Sequence, residues 1–388
     1  MQEEQEQTKK LLVGKYEIEL SGEHQIDQYQ NKWKKYDKRL GELSNILWEQ
    51  FGAFCAVDIG ANVGDSAALI NNKYDIPVLC IEGGDKFIPL LKKNLSRFKA
   101  LTEIYEGFVG ISEQNILEYD YHDGTLSLIQ NINKDVNSNQ SIITLESILT
   151  EHKNFYNPKL IKIDTDGMDF LIIKNSLDVI KRSEPVLFFE YDLFFRKQFS
   201  FDESLSTINA LIDLGYSTFF VYDNFGNLMT VVDSNYLTRF NELNDYLVSN
   251  KTFGTAVFYY DICAIHRNDK VLAEVLSDFS RNDLYKNYEN YLKEKKEKQL
   301  SGMIKDSELL IEQDNYSEAK KMLKKILSVQ PDNSDALINM AVVEMNMNNY
   351  EAANTILKKI LTIDPLNEVA IYNKNILESI LEYEKENG

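Results

Sequence analysis

Residues 54–65, Phe-Cys-Ala-Val-Asp-Ile-Gly-Ala-Asn-Val-Gly-Asp, constrain this chain more than any other stretch. Residues 54–59 form a short apolar run suited to a strand buried on both faces. Gly60 and Gly64 bracket a tight turn, and residues 65–70 read as the opening of a helix. Strand, glycine turn and helix are how an open parallel sheet presents a ligand crevice at the carboxyl ends of its strands. Glycine suits the turn because a Cβ would hold the backbone amides away from a ligand. The G-x-x-x-G spacing is neither the G-x-G-x-x-G of dinucleotide folds nor the G-x-x-x-x-G-K-[ST] of a phosphate loop, so no pyrophosphate signature is present. A second buried strand at 78–81 ends in Glu82. A carboxylate there is placed to accept both hydroxyls of a ribose.

With 388 residues and 44% hydrophobic content, the chain is long enough for two domains with real cores. Its net charge of −19 argues against nucleic acid as a partner, since phosphate binding needs clustered Lys and Arg. The same charge suits an anionic membrane surface poorly. The first residues are polar and acidic, without the apolar core of a signal peptide. No apolar run approaches the ~20 residues of a membrane-spanning helix, so the expectation is a cytoplasmic protein without membrane insertion. Cys55, Cys80 and Cys263 lie in apolar, strand-like runs without C-x-x-C spacing and read as reduced core residues.

The organisation follows from periodicity. Residues 1–50 read as a polar helical leader, with Trp33, Tyr36, Leu40, Leu43, Ile46 and Leu47 at helical spacing. Strand–helix alternation over 51–268 then predicts an α/β domain. A short hairpin is expected near 117–130, turning at His122-Asp123-Gly124, then an Asn-rich loop, with Thr144 as a helix N-cap. Later strands are expected at 160–164, 185–191, 217–222 and 255–261, with a helix at 203–214. Residues 269–299 form a Lys- and Glu-rich helical connector. In 300–388, Tyr316, Ala319, Leu327 and Pro331 recur 34 residues on as Tyr350, Ala353, Leu361 and Pro365. That period resembles the tetratricopeptide repeat, giving two repeats and a capping helix, with Ser307 in a slot usually held by Gly.

The order of motifs carries the central resemblance. V-D-I-G-A-N-V-G followed by C-I-E-G-G resembles the cofactor edge of S-adenosylmethionine-dependent methyltransferases. T-L-E-S-I-L, then I-K-I-D-T-D-G-M-D, then E-P-V-L-F-F-E-Y narrows this to the FkbM family over about residues 50–265. Two departures stand out: Asp166 occupies a position where Glu is usual, and Gly83-Gly84 replaces a commoner Pro-containing turn. The resemblance implies a Rossmann-like sheet with helices on both faces and O-methylation of a hydroxyl, most often of a sugar in a bacterial surface glycan or glycoconjugate. It places Asp58, Gly60, Asn62, Gly64 and Asp65 around the methionine end of the cofactor, Glu82 at the ribose, and Phe108 or Val109 beside the adenine.

For catalysis, the end of the 160–164 strand singles out Asp164 as first candidate for the base that takes the acceptor proton. Asp166 comes second, with capping of the following helix as its alternative, and Glu190 is an orienting acid. Lys162 is expected to pair with one of these acids. D-x-D-G-x-D is not a calcium loop; a divalent metal between Asp164 and Glu190 stays open, although no spacing indicates one. The four histidines form no ligand pattern, and His122 reads either as a surface turn residue or as one reaching the acceptor. The repeats suggest a protein partner or self-association. The rival reading is a degenerate methyltransferase fold that recruits a partner through them.

Overall fold

The computed structural model describes residues 8–33, 35–110, 116–122, 125–130, 143–194, 201–254 and 256–387. The chain divides into two units, Met1–Ser280 and Arg281–Gly388.

The first unit is built on an eight-stranded sheet. Its strands are β3 (Ala56–Ile59), β4 (Val78–Glu82), β5 (Thr102–Glu106), β8 (Leu160–Ile163), β9 (Val186–Tyr191), β10 (Tyr216–Asp223), β11 (Leu228–Asp233) and β12 (Tyr260–His266). They lie in the order β11-β10-β12-β9-β8-β3-β4-β5. From β9 to β5 all neighbours are parallel, while β12 runs antiparallel to both β9 and β10. The chain leaves β3 toward β4 and β5 on one side and later returns to β8 and β9 on the other. This makes the β3/β8 junction the topological switch point, where such sheets open a crevice beyond the carboxyl ends of their strands.

Helices cover both faces: α2 (Lys38–Phe51), α3 (Asp65–Ile70) and α4 (Ile88–Leu95) on one side, α5 (Leu145–Glu151), α6 (Asp169–Lys174), α7 (Leu177–Ser183), α8 (Phe201–Asp213) and α9 (Arg239–Phe253) on the other. Alternation along the strands feeds both layers: Val57 and Ile59 enter one core, Ala56 the other, and Ile161 and Ile163 enter one while Leu160 enters the other. Thr144 caps α5 as expected, accepting a hydrogen bond from the Ser147 N–H at 3.2 Å.

The leader corrects the sequence expectation. Only from α1 (Ile26–Lys32) onward is it helical; β1 (Thr8–Val13) and β2 (Tyr16–Ser21) form an antiparallel hairpin instead. The cause is a period-two pattern, in which Val13, Tyr16, Ile18 and Leu20 are buried between charged residues and pack with Val63, Ala68 and Phe87. The last central strand also lies later than the expected 255–261, at β12, and β11 and α9 were not anticipated. The hairpin of β6 (Ile116–His122) and β7 (Thr125–Gln130) is present; its turn at Asp123-Gly124, the side chain of His122 and the Asn-rich loop lie outside the described residues.

The second unit is helical. It comprises the part of the long α10 (Lys270–Glu312) beyond Ser280, then α11 (Tyr316–Val329), α12 (Ser334–Asn346), α13 (Tyr350–Ile363) and α14 (Glu368–Asn387). The repeat residues Ala319 and Ala353 are fully buried, and Ser307 fits its small-residue slot by bonding its hydroxyl back to the Ile304 carbonyl at 2.6 Å. Among the described residues no helix is long and apolar enough to cross a membrane.

Candidate functional site

The crevice is assembled first at the turn after β3. Gly60 has φ +77, and a Cβ there would collide with the Asp164 carbonyl oxygen, so the β3 and β8 ends meet only because residue 60 is glycine. The Gly60 and Ala61 N–H groups both reach the Ile81 carbonyl, and Asn62 turns through a positive φ. Glu82, at the end of β4, closes this side. Its carboxylate accepts the Asn62 N–H at 2.7 Å and the Gly84 N–H at 2.6 Å. Each oxygen retains a second lone-pair site, so ribose hydroxyls could still be accepted. Burial pushes the Glu82 carboxyl above its usual range, against the pull of those two N–H groups.

Beside Glu82 lies a narrow slot lined by Ile59, Ile81, Phe108, Val109, Met168 and Ile172. Apolar walls with Glu82 at one edge and Asp164 and Asp166 at the other suit a purine nucleoside. The Gly83 departure acquires a local reason here, because a Cβ at residue 83 would fall on the Phe108 ring.

A second layer holds the turn. Asp58 is fully buried, accepts the Ser66 hydroxyl at 2.5 Å and sits 3.3 Å from the Lys162 ammonium. Lys162 also lies 3.3 Å from Asp164 and donates to the Gly60 carbonyl at 3.0 Å. Burial alone would push this ammonium's pKa down, but Asp164, Asp58 and Asp65 outweigh it and hold it above the usual lysine range. Lys162 therefore pairs with Asp164, as the strand pattern suggested, and also with Asp58, which the sequence did not show. Neither Asp58 nor Gly64 lines the crevice; Gly64 faces Leu91 and Leu95, while Gly60, Asn62 and Asp65 do line it.

Beyond Asp164 the slot opens into a cavity of about 970 Å³. Asp164, Asp166 and Glu190 all face it. Asp164 is half exposed, whereas Glu190 at the end of β9 is buried. Asp166 takes a left-handed conformation (φ 48), and the N-cap position of α6 belongs to Met168. The local anchoring belongs to Asp169, which accepts the Thr165 N–H and hydroxyl at 3.3 and 3.0 Å and which burial, then Asp164, pushes up to about 7.

The leader's Trp33 and Tyr36, picked out by their helical spacing, line the cavity, together with residues that had no sequence signal: Tyr29 and Asp37 from the leader, Phe225 after β10, and Tyr259 and Asp261 at β12. The rings of Tyr29, Trp33, Tyr36 and Phe225 pack with centroids 4.8–6.4 Å apart, an aromatic wall suited to stacking on a sugar face. Among the described residues no group of three or more His, Cys, Asp or Glu side chains converges to hold a metal ion.

Residues 58–218 match the methyltransferase FkbM domain, and residues 310–371 match the tetratricopeptide repeat. No curated protein matches the sequence. Similar solved structures include precorrin-6y C5,15-methyltransferase from Geobacter metallireducens, at 13% identity over 55% of this chain and 80% of that one with a TM-score of 0.26. Another is the O-methyltransferase from Bacillus cereus in complex with SAH, at 11% identity over 58% and 80% with a TM-score of 0.33. A third is the tRNA (uracil-54, C5)-methyltransferase from Pyrococcus abyssi, at 8% identity over 66% and 44% with a TM-score of 0.32. Nothing about this chain rests on these distant likenesses.

Proposed function

Because the chain carries an FkbM methyltransferase domain followed by a tetratricopeptide repeat, we propose that it is an O-methyltransferase acting on a sugar hydroxyl in a glycan or glycoconjugate. The observation that carries this reading is the continuity of the crevice: Gly60, Asn62, Asp164 and Asp166 line both the nucleoside slot and the large aromatic cavity.

S-adenosylmethionine, when bound, supplies an activated methyl group. Glu82 would hold its ribose, Phe108 and Val109 would flank the adenine, and Gly60, Asn62 and Asp65 would surround the methionine end. Asp58 and Gly64 support that turn from behind. Methyl transfer gains most from alignment of the two reactants, and the aromatic wall provides it for a sugar ring. Asp164 stands where the two compartments meet and would take the acceptor's hydroxyl proton. Lys162, 3.3 Å away, holds that carboxylate in place. A base at this position contributes on the order of 10²–10⁴-fold to rate. Asp166 borders the same junction and would orient the hydroxyl. The repeats would dock a protein partner or a second copy.

The test is methyl transfer from labelled S-adenosylmethionine to a panel of sugars and glycoconjugates, comparing wild type with Asp164→Asn. The reading expects label on oxygen and a loss of about 10²-fold or more in kcat for the variant, with cofactor binding retained. Label on carbon or nitrogen alone, or undiminished turnover by the variant, would overturn it.

A further inference from the structure

The far wall of the large cavity is electrostatically incomplete. β9 and β12 pair antiparallel with Glu190 directly opposite Asp261, so two carboxyl side chains emerge side by side from neighbouring strands. Like charges so placed destabilise a sheet unless something lies between them. Asp37, held in a left-handed conformation before α2, faces the same cavity.

Glu190 is only 8% exposed, yet neither it nor Asp37 nor Asp261 has a hydrogen bond or ion pair among the described residues. Of the cavity's lysines, Lys162 bears on Asp261 and Asp37 through space without pairing with either, and its ion pairs lie elsewhere. Lys162 is held between Asp58 and Asp164, Lys32 lies over the Trp33 ring, and Lys251 lies over Phe194 and Phe258. Buried charges are normally paired, and among the described residues no cation forms an ion pair with this wall.

A cation to pair with it is not the cofactor's by position. The cofactor's own ammonium belongs to its methionine end, at the turn after β3, and the sheet order places β12 three strands away, roughly 14 Å at the usual strand spacing. The facing aromatic wall of Tyr29, Trp33 and Tyr36 instead indicates an organic cation carried on a ring.

Resting on the acceptor reading above, we propose that Glu190, Asp261 and Asp37 form a binding site for a protonated amine of the acceptor, so that the sugar taken is an amino sugar. Its ammonium would sit between the paired strands, its ring against the aromatic wall, and a hydroxyl would reach Asp164. Burial, then the nearby Asp164 charge, holds Glu190 and Asp261 well above the usual carboxylate range. For Asp37 the causes are burial, then Asp65. An arriving ammonium would displace protons that the empty wall retains.

The test titrates glucosamine, galactosamine and mannosamine into the full-length protein, each against its neutral parent sugar and its N-acetyl form. S-adenosylhomocysteine is titrated separately into the same preparations. At least one amino sugar should bind about tenfold more tightly than both neutral counterparts. The preference should shrink to within about twofold in the Glu190→Gln/Asp261→Asn double variant. Equal binding of charged and neutral sugars, no binding of any amino sugar, or a preference that survives in the double variant would overturn the proposal. S-adenosylhomocysteine binding without amine preference defeats this inference alone, whereas its absence defeats the methyltransferase reading beneath it.

Discussion

The two ends of the crevice are built on opposite principles. At the β3/β4 end Glu82 and Asp58 find partners within the protein: Glu82 takes two backbone N–H groups, and Asp58 takes Ser66 and Lys162. At the β9/β12 end Glu190 and Asp261 stand opposite each other, Asp37 lines the same cavity, and no described cation forms an ion pair with them. A pocket that positions one fixed cofactor can be completed from inside the fold. A pocket that selects its ligand by charge must leave that charge unmet until the ligand arrives. The difference between acids paired inside the fold and acids that face the cavity is what mutation should expose.

The largest effect should come from removing the internal counter-charge. Lys162→Met leaves Asp58 and Asp164 without their ammonium, and breaking a buried pair costs about 3–5 kcal/mol. Urea denaturation should show that loss, while Glu190→Gln at the other end should leave stability unchanged or raise it, because a neutral amide replaces a carboxyl whose charged form burial disfavours. Equal destabilisation by both would erase the contrast.

Next comes a pH effect. Asp169 titrates near 7 when folded against an ordinary carboxylate value of 3.8 when unfolded. The folded state therefore binds the extra proton between about pH 4 and 7, and stability is lost as pH rises through that window. Asp169→Asn keeps an acceptor for Thr165 without that slope, so it should gain on the order of 1–3 kcal/mol relative to wild type from pH 4 to pH 7. Parallel stability curves would contradict the assignment. Smallest is Thr144→Ala, which removes the α5 cap and should cost about 1 kcal/mol in thermal or urea unfolding without changing ligand binding, since Thr144 lines neither compartment.

The same contrast explains what was legible in the sequence. The cofactor end reads easily because its parts are local: Gly60 and Asn62 are two residues apart, and Glu82 ends the very next strand. Parallel topology then brings Asp164 to Gly60 by a rule that needs only strand order. The acceptor wall has no such locality. Asp37, Glu190 and Asp261 come from segments more than 70 residues apart, and each alone looks like a solvated acid. Only the strand register that sets Asp261 opposite Glu190 makes them a group. Likewise the leader hairpin was hidden because Lys and Glu alternate with Ile18 and Leu20, which reads as polar until the opposite face is found buried. Lys162 was expected beside a carboxylate of its own edge, but its bond to Asp58 depends on two strands being neighbours.

The most direct measurement of the central claim is calorimetric titration of S-adenosylhomocysteine into wild type and Glu82→Ala. The account predicts saturable one-to-one binding by the wild type, weakened by about 1–3 kcal/mol in the variant, which loses both the ribose acceptor and the clamp on the Asn62 and Gly84 amides. Absence of binding to a folded wild type, or equal affinity in the two proteins, would contradict it.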